Sequence, residues 1–75
     1  METVYSISKN IVIIDDGQVL LTYGIVAADR SGNRLSEFPD VSVNRSFTER
    51  VVKLLNGCRV EHCHFFEVVT DELNR

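Results

Sequence analysis

The sequence predicts an α+β domain in which an antiparallel meander of about four strands is followed by two α-helices packed on one sheet face. Three observations carry this expectation. The first half of the chain is made of short apolar and β-branched runs separated by turn residues. At Ser46 the apolar period lengthens from that of a strand to that of a helix. The chain has 75 residues, and a domain of this size buries only about 60% of the surface its unfolded chain exposes, enough for one core. The whole of 1–75 is therefore expected to be a single compact domain.

The strands are expected at residues 3–8, 11–14, 18–28 and 34–43. In the first, Tyr5 and Ile7 share one face and Val4 lies on the other, and Lys9-Asn10 is read as an interruption before Ile11-Val12-Ile13-Ile14. Asp15-Asp16-Gly17-Gln18 supplies a glycine for the positive φ of a hairpin, so the runs on either side should pair antiparallel. The run through Thr22-Tyr23-Gly24-Ile25 is too long and apolar for an edge and is placed centrally, with Gly24 marking a bulge or a close backbone approach. After the turn Asp29 to Asn33, residues Leu35, Val41 and Val43 can face the core. Pro39 donates no ladder hydrogen bond, which makes this last strand an edge or breaks it.

Ser46-Phe47-Thr48-Glu49 has the form of a capping box, and Phe47, Val51, Leu54 and Leu55 follow at helical spacing, predicting a helix over 46–56. Asn56-Gly57 suits a left-handed C-cap, and Glu49 and Lys53 are an i,i+4 pair. A second helix is predicted over 61–74, with Phe65, Val68, Val69 and Leu73 on one stripe and Glu67, Asp71 and Glu72 off it.

Eight Lys plus Arg stand against eleven Asp plus Glu, a formal charge of −3, which argues against a surface built to neutralise phosphates and so against nucleic-acid binding. No apolar run approaches the length of about 18 residues that a membrane span needs, and Met1-Glu2-Thr3-Val4-Tyr5 does not resemble a secretory signal. A soluble cytoplasmic protein with no membrane role is expected, and its only cysteines, Cys58 and Cys63, are expected to be reduced. The glycines have no phosphate-loop spacing, so no nucleotide or other cofactor is expected.

Potential ligands are densest in Cys58-Arg59-Val60-Glu61-His62-Cys63-His64, where two thiols and two imidazoles lie within seven residues. Zinc accepts such donors, making Cys58, His62, Cys63 and His64 candidate metal ligands. Against this, four donors so close in sequence compete for one conformation, and around an α-helix starting at Glu61 the last three point in different directions. The plainer reading makes the cysteines small hydrophobes and His64 a capping group. A nucleophilic role for Cys63, flanked by histidines, would need a depressed thiol pKa, and no catalytic signature accompanies it.

Thr22-Tyr23-Gly24-Ile25 in a central strand, Asp40-Val41-Ser42 before the first helix, Leu54-Leu55-Asn56 at its end, and His64 opening Phe65-Phe66-Glu67-Val68-Val69 together resemble a family of small bacterial proteins of unknown function from Firmicutes. The resemblance spans nearly the whole chain and implies a sheet-forming first half followed by two helical segments. It brings no activity with it. The sequence departs from the family pattern at Phe65, where an aliphatic residue is usual, and in having cysteines before His64, which would make a metal site peculiar to this protein.

The expected function is a small noncatalytic interaction or regulatory module that binds a protein partner or forms a homodimer. A four-stranded sheet covered on one face leaves the other face or an edge free, and oligomerisation is a common source of stability for so small a core. Val4, Val12, Ile14 and Val26 are the candidate interaction residues, by their parity opposite the core-facing ones. The alternatives are a zinc-binding protein using the Cys/His cluster and a small enzyme with a His or Cys at an interface.

Overall fold

In a computed structural model, which describes residues 2–75, three antiparallel strands, β1 (Thr3–Ile13), β2 (Val19–Asp29) and β3 (Arg34–Ser42), lie in the order β1-β2-β3. Helices α1 (Arg45–Gly57) and α2 (Phe65–Leu73) follow, with a short 3₁₀ turn, His62–His64, between them. The α+β class and the central position of the Gly24 strand agree with the sequence reading. The strand number does not, because the two expected strands at 3–8 and 11–14 are one. Lys9 and Asn10 stay in the ladder opposite Tyr23 and Thr22, since a lysine on an edge strand reaches water without breaking the pairing. The hairpin closes through the 3₁₀ turn Asp15–Gly17, where Asp16 and Gly17 both have positive φ (74° and 73°) and Ile14 N–H donates to the Gln18 carbonyl at 3.0 Å.

Alternation puts Tyr5 and Ile7 toward the helices, opposite Ala27 and Ile25. Tyr5, Ile25 and Ala27 join Val41, Val51, Leu55, Phe65 and Val69 in the buried core. β3 pairs irregularly with β2, its register shifting between Tyr23 and Ile25. The cause is a close approach at Gly24: a Cβ there would lie 2.7 Å from the Phe38 carbonyl oxygen and 2.9 Å from Ser8 Oγ. β3 arches past Gly24 through Pro39 and Asp40, the latter at φ 54°, which fulfils the expectation for both Gly24 and Pro39. Val43, expected in the core, is exposed because β3 ends at Ser42.

Helix α1 starts earlier than the capping box implied. Its cap is Asn44, whose Oδ1 accepts from Phe47 N–H at 3.1 Å, and Glu49 pairs with Arg45 at 2.7 Å within the exposed first turns. At the other end the left-handed residue is Arg59 (φ 50°) and not Gly57, and Val60 N–H returns to the Leu55 carbonyl. The expected helix over 61–74 begins only at Phe65, because His64 N–H bonds to the Glu61 carbonyl and winds His62–His64 as a 3₁₀ turn.

Two contacts join the helices to the sheet. Phe65 is fully buried, with its ring centroid 5.1 Å from Tyr5 and 6.5 Å from Phe38. Asn56 treats β1 as a strand neighbour would: its Oδ1 accepts from Tyr5 N–H and its Nδ2 donates to the Tyr5 carbonyl, both at 2.9 Å. Asn56→Ala leaves both backbone groups without these partners and is expected to cost about 1–3 kcal/mol, lowering Tm by roughly 4–8 °C per kcal/mol in a domain this small. Asn56→Asp, which keeps an acceptor and loses the donor, should fall between wild type and alanine in urea and thermal denaturation.

Candidate functional site

Element lengths divide the sheet into a covered and an uncovered part. Eleven strand residues extend about 36 Å at 3.3 Å each, whereas the thirteen residues of α1 make a rod of about 20 Å. The helix cannot span the hairpin, and the molecule is accordingly elongated, 44 × 29 × 18 Å. Cover ends where Lys9 stands opposite Tyr23, over whose ring the Arg45 guanidinium lies at 5.9 Å from the centroid. Beyond that point the hairpin projects as an arm.

On the helix side of the arm, Ile11 faces Leu21 and Ile13 faces Val19, with exposures of 71%, 44%, 75% and 64%. Val12 and Leu20 pair on the reverse side, and Ile14 is also exposed. At roughly 30 Å² per methylene-sized group, the six exposed side chains, spread over the two faces of the arm, amount to on the order of 400 Å² of apolar surface.

The arm also has an open backbone. Tyr5 turns its N–H and C=O away from β2 toward Asn56, so by the two-residue alternation of an antiparallel ladder Lys9, Ile11 and Ile13 present theirs along the same outer edge. Among the described residues these groups have no hydrogen-bond partner.

Of the four residues expected to interact, Val4, Val12 and Val26 lie on the face away from the helices, as alternation requires. Val4 and Ile14 are exposed, while Val12 and Val26 are half-buried. They do not form one patch: Val4 and Val26 belong to the covered half of the sheet, and Val12 and Ile14 to the arm. The residues missed were Ile11, Ile13, Val19, Leu20 and Leu21. Their signal was the uninterrupted apolar run on both sides of the turn, hidden by dividing β1 at Lys9.

At the opposite end of β1 lies the turn that carries the cysteines and histidines. Both cysteines are free and exposed. The structure separates the four candidate ligands. Cys58 caps α1, and His62 Nε2 is hydrogen-bonded to Ser36 Oγ at 2.8 Å. Cys63 and His64 instead gather with Glu61, a residue the sequence reading left out, and one donor atom from each lies within 4.8 Å of the others. The turn is pinned to the sheet by Tyr5, whose hydroxyl donates to the Val60 carbonyl at 2.7 Å.

An open cleft of about 730 Å³ beside this turn is bordered by Glu2, Arg30, Asn56, Arg59 and Glu61. Arg30 is paired with Glu2 at 3.4 Å and Asn56 is committed to Tyr5, so the wall is charge-balanced, and no thiol or imidazole lines it. On the sheet face away from the helices, Thr22 Oγ1 donates to Asp40 Oδ1, and Asn10 Nδ2 is buried with no hydrogen-bond partner among the described residues. No family model matches this chain, and no curated protein or solved structure does so either. Among the described residues, no helix is long and apolar enough to cross a membrane.

Burial raises the Tyr5 phenol above its ordinary pKa of 10.0; a hydrogen bond involving Thr3 opposes the shift, and the nearby Cys63 adds to it. A raised acid holds its proton more tightly in the folded state, so its contribution to stability is complete below pH 10 and declines as pH rises through the folded-state pKa. Ionisation would also remove the proton donated to Val60. Wild type is therefore expected to lose stability above about pH 10 more steeply than Tyr5→Phe in urea titrations taken at rising pH.

Proposed function

We propose that the protein is a small noncatalytic cytoplasmic module that works by self-association, its docking element being the hairpin arm. The observation that carries this reading is the coincidence, on one projecting segment, of exposed aliphatic side chains with an unpaired strand edge. Either feature alone is a liability that proteins usually blunt with charge, proline or cover. A second copy of the same edge satisfies both.

Self-complementarity favours a second copy as the partner. In Lys9-Asn10-Ile11-Val12-Ile13-Ile14-Asp15, antiparallel pairing about Val12 sets Val12 against its own counterpart and Ile11 against Ile13. It also sets Lys9 of one copy against Asp15 of the other. The outward-facing groups of Ile11 and Ile13 then complete a hydrogen-bonded pair on each side of the axis, and opposite charges meet at both ends. An apolar area on the order of 400 Å² per copy is below the roughly 800 Å² per partner of a stable complex, which places the dimer in the weak, reversible class.

Sedimentation equilibrium is expected to show a concentration-dependent dimer with a Kd in the micromolar range. Ile13→Lys should abolish it while leaving Tm within about 2 °C of wild type, because the side chain is largely solvent-exposed in the monomer. Lysine makes the net charge less negative, so loss of the dimer could not be blamed on greater overall repulsion. Lys9→Glu and Asp15→Lys should each weaken the dimer, and together restore it. A wild-type protein that stays monomeric at several hundred micromolar would refute the reading.

A further inference from the structure

We propose that Glu61, Cys63 and His64 form a binding site for a single zinc ion, with a fourth coordination position open to solvent. The site is independent of the arm and lies at the other end of β1. A carboxylate oxygen, a thiolate sulfur and an imidazole nitrogen are all established zinc donors, at bond lengths of about 2.0–2.3 Å. Tetrahedral coordination at those lengths sets donors roughly 3.5 Å apart. Here all three lie within 4.8 Å of one another, and all three side chains are exposed and free to rotate the remaining distance.

The local backbone explains why residues so close in sequence converge. Around an α-helix, positions 61, 63 and 64 would diverge. Here Glu61 is the extended residue before the 3₁₀ turn (φ −72°, ψ 149°), and its carbonyl closes the turn by accepting from His64 N–H at 2.9 Å, which folds the two residues toward each other, while Cys63 Sγ lies 3.8 Å from Glu61 Oε2. His62 is turned away to Ser36.

The scaffold is held without any ion. His64 N–H bonds to the Glu61 carbonyl at 2.9 Å, the Tyr5 hydroxyl holds the Val60 carbonyl, and Phe65, the next residue after the site, is anchored in the core. Little conformational freedom is left in this backbone for binding to remove. The donor set also selects the ion: a thiolate with an imidazole favours zinc over magnesium or calcium, which take oxygen ligands. Binding replaces the Cys63 S–H bond with a sulfur–metal bond and releases that proton to solvent.

The test is titration of reduced, metal-free protein with cobalt(II), a spectroscopically visible substitute, followed by displacement with zinc. The expected result is one cobalt per chain, a sulfur-to-metal charge-transfer band that zinc abolishes, and zinc protection of Cys63 but not Cys58 from alkylation. The band should vanish in Cys63→Ser, affinity should fall about tenfold or more in Glu61→Gln and in His64→Ala, and Cys58→Ser and His62→Ala should bind as wild type, with folding of every variant checked by circular dichroism. Absence of the band at millimolar cobalt, its survival in Cys63→Ser, or its equal loss in Cys58→Ser would overturn the proposal. Because Cys63 is exposed and serine is close to it in size, the serine variant keeps the test decisive even if His64→Ala fails to fold.

Discussion

The pairing of the Asn56 carboxamide with the backbone of Tyr5 is the constraint around which this molecule is arranged. An edge strand must do something with its outward N–H and C=O groups, and here a helix end supplies one residue's worth of false strand. That fixes the end of α1 against the start of β1. It also divides the edge, since an amide side chain can serve only one residue, and the positions from Lys9 onward are left open.

The same end of β1 holds the second helix. Tyr5 contributes its ring to Phe65 and its hydroxyl to Val60, so one residue receives the end of α1, the turn after it and the start of α2. The 3₁₀ turn His62–His64 lies between these two anchors, the Val60 carbonyl and the buried Phe65 ring. Glu61, Cys63 and His64 are brought together within that short anchored segment.

Apolar residues are distributed unevenly for so small a protein. Eight hydrophobic residues form the buried core, while the arm holds Ile11, Ile13, Val19 and Leu21 largely in water. Those side chains lie outside the monomer's core and keep between 44% and 75% of their surface exposed. Their place on an open edge gives them a use in association that folding of the monomer does not.

The sequence by itself determined the alternation that puts Tyr5, Ile25 and Ala27 inside, the position of the hairpin turn and the existence of two amphipathic helices, because each depends on residues near one another in the chain, whereas the close approach at Gly24 is made to Phe38 and Ser8. Only the tertiary structure decided that Lys9 and Asn10 continue β1, since that rests on their partners Tyr23 and Thr22 across the hairpin. It likewise decided that helix α2 starts at Phe65, that Glu61 replaces Cys58 and His62 beside Cys63 and His64, and that the apolar arm outruns its helices. These are comparisons between distant segments, of a strand about 36 Å long with a helix about 20 Å long and of a turn with the sheet residue Tyr5 that holds its start, and no local pattern of residues contains them.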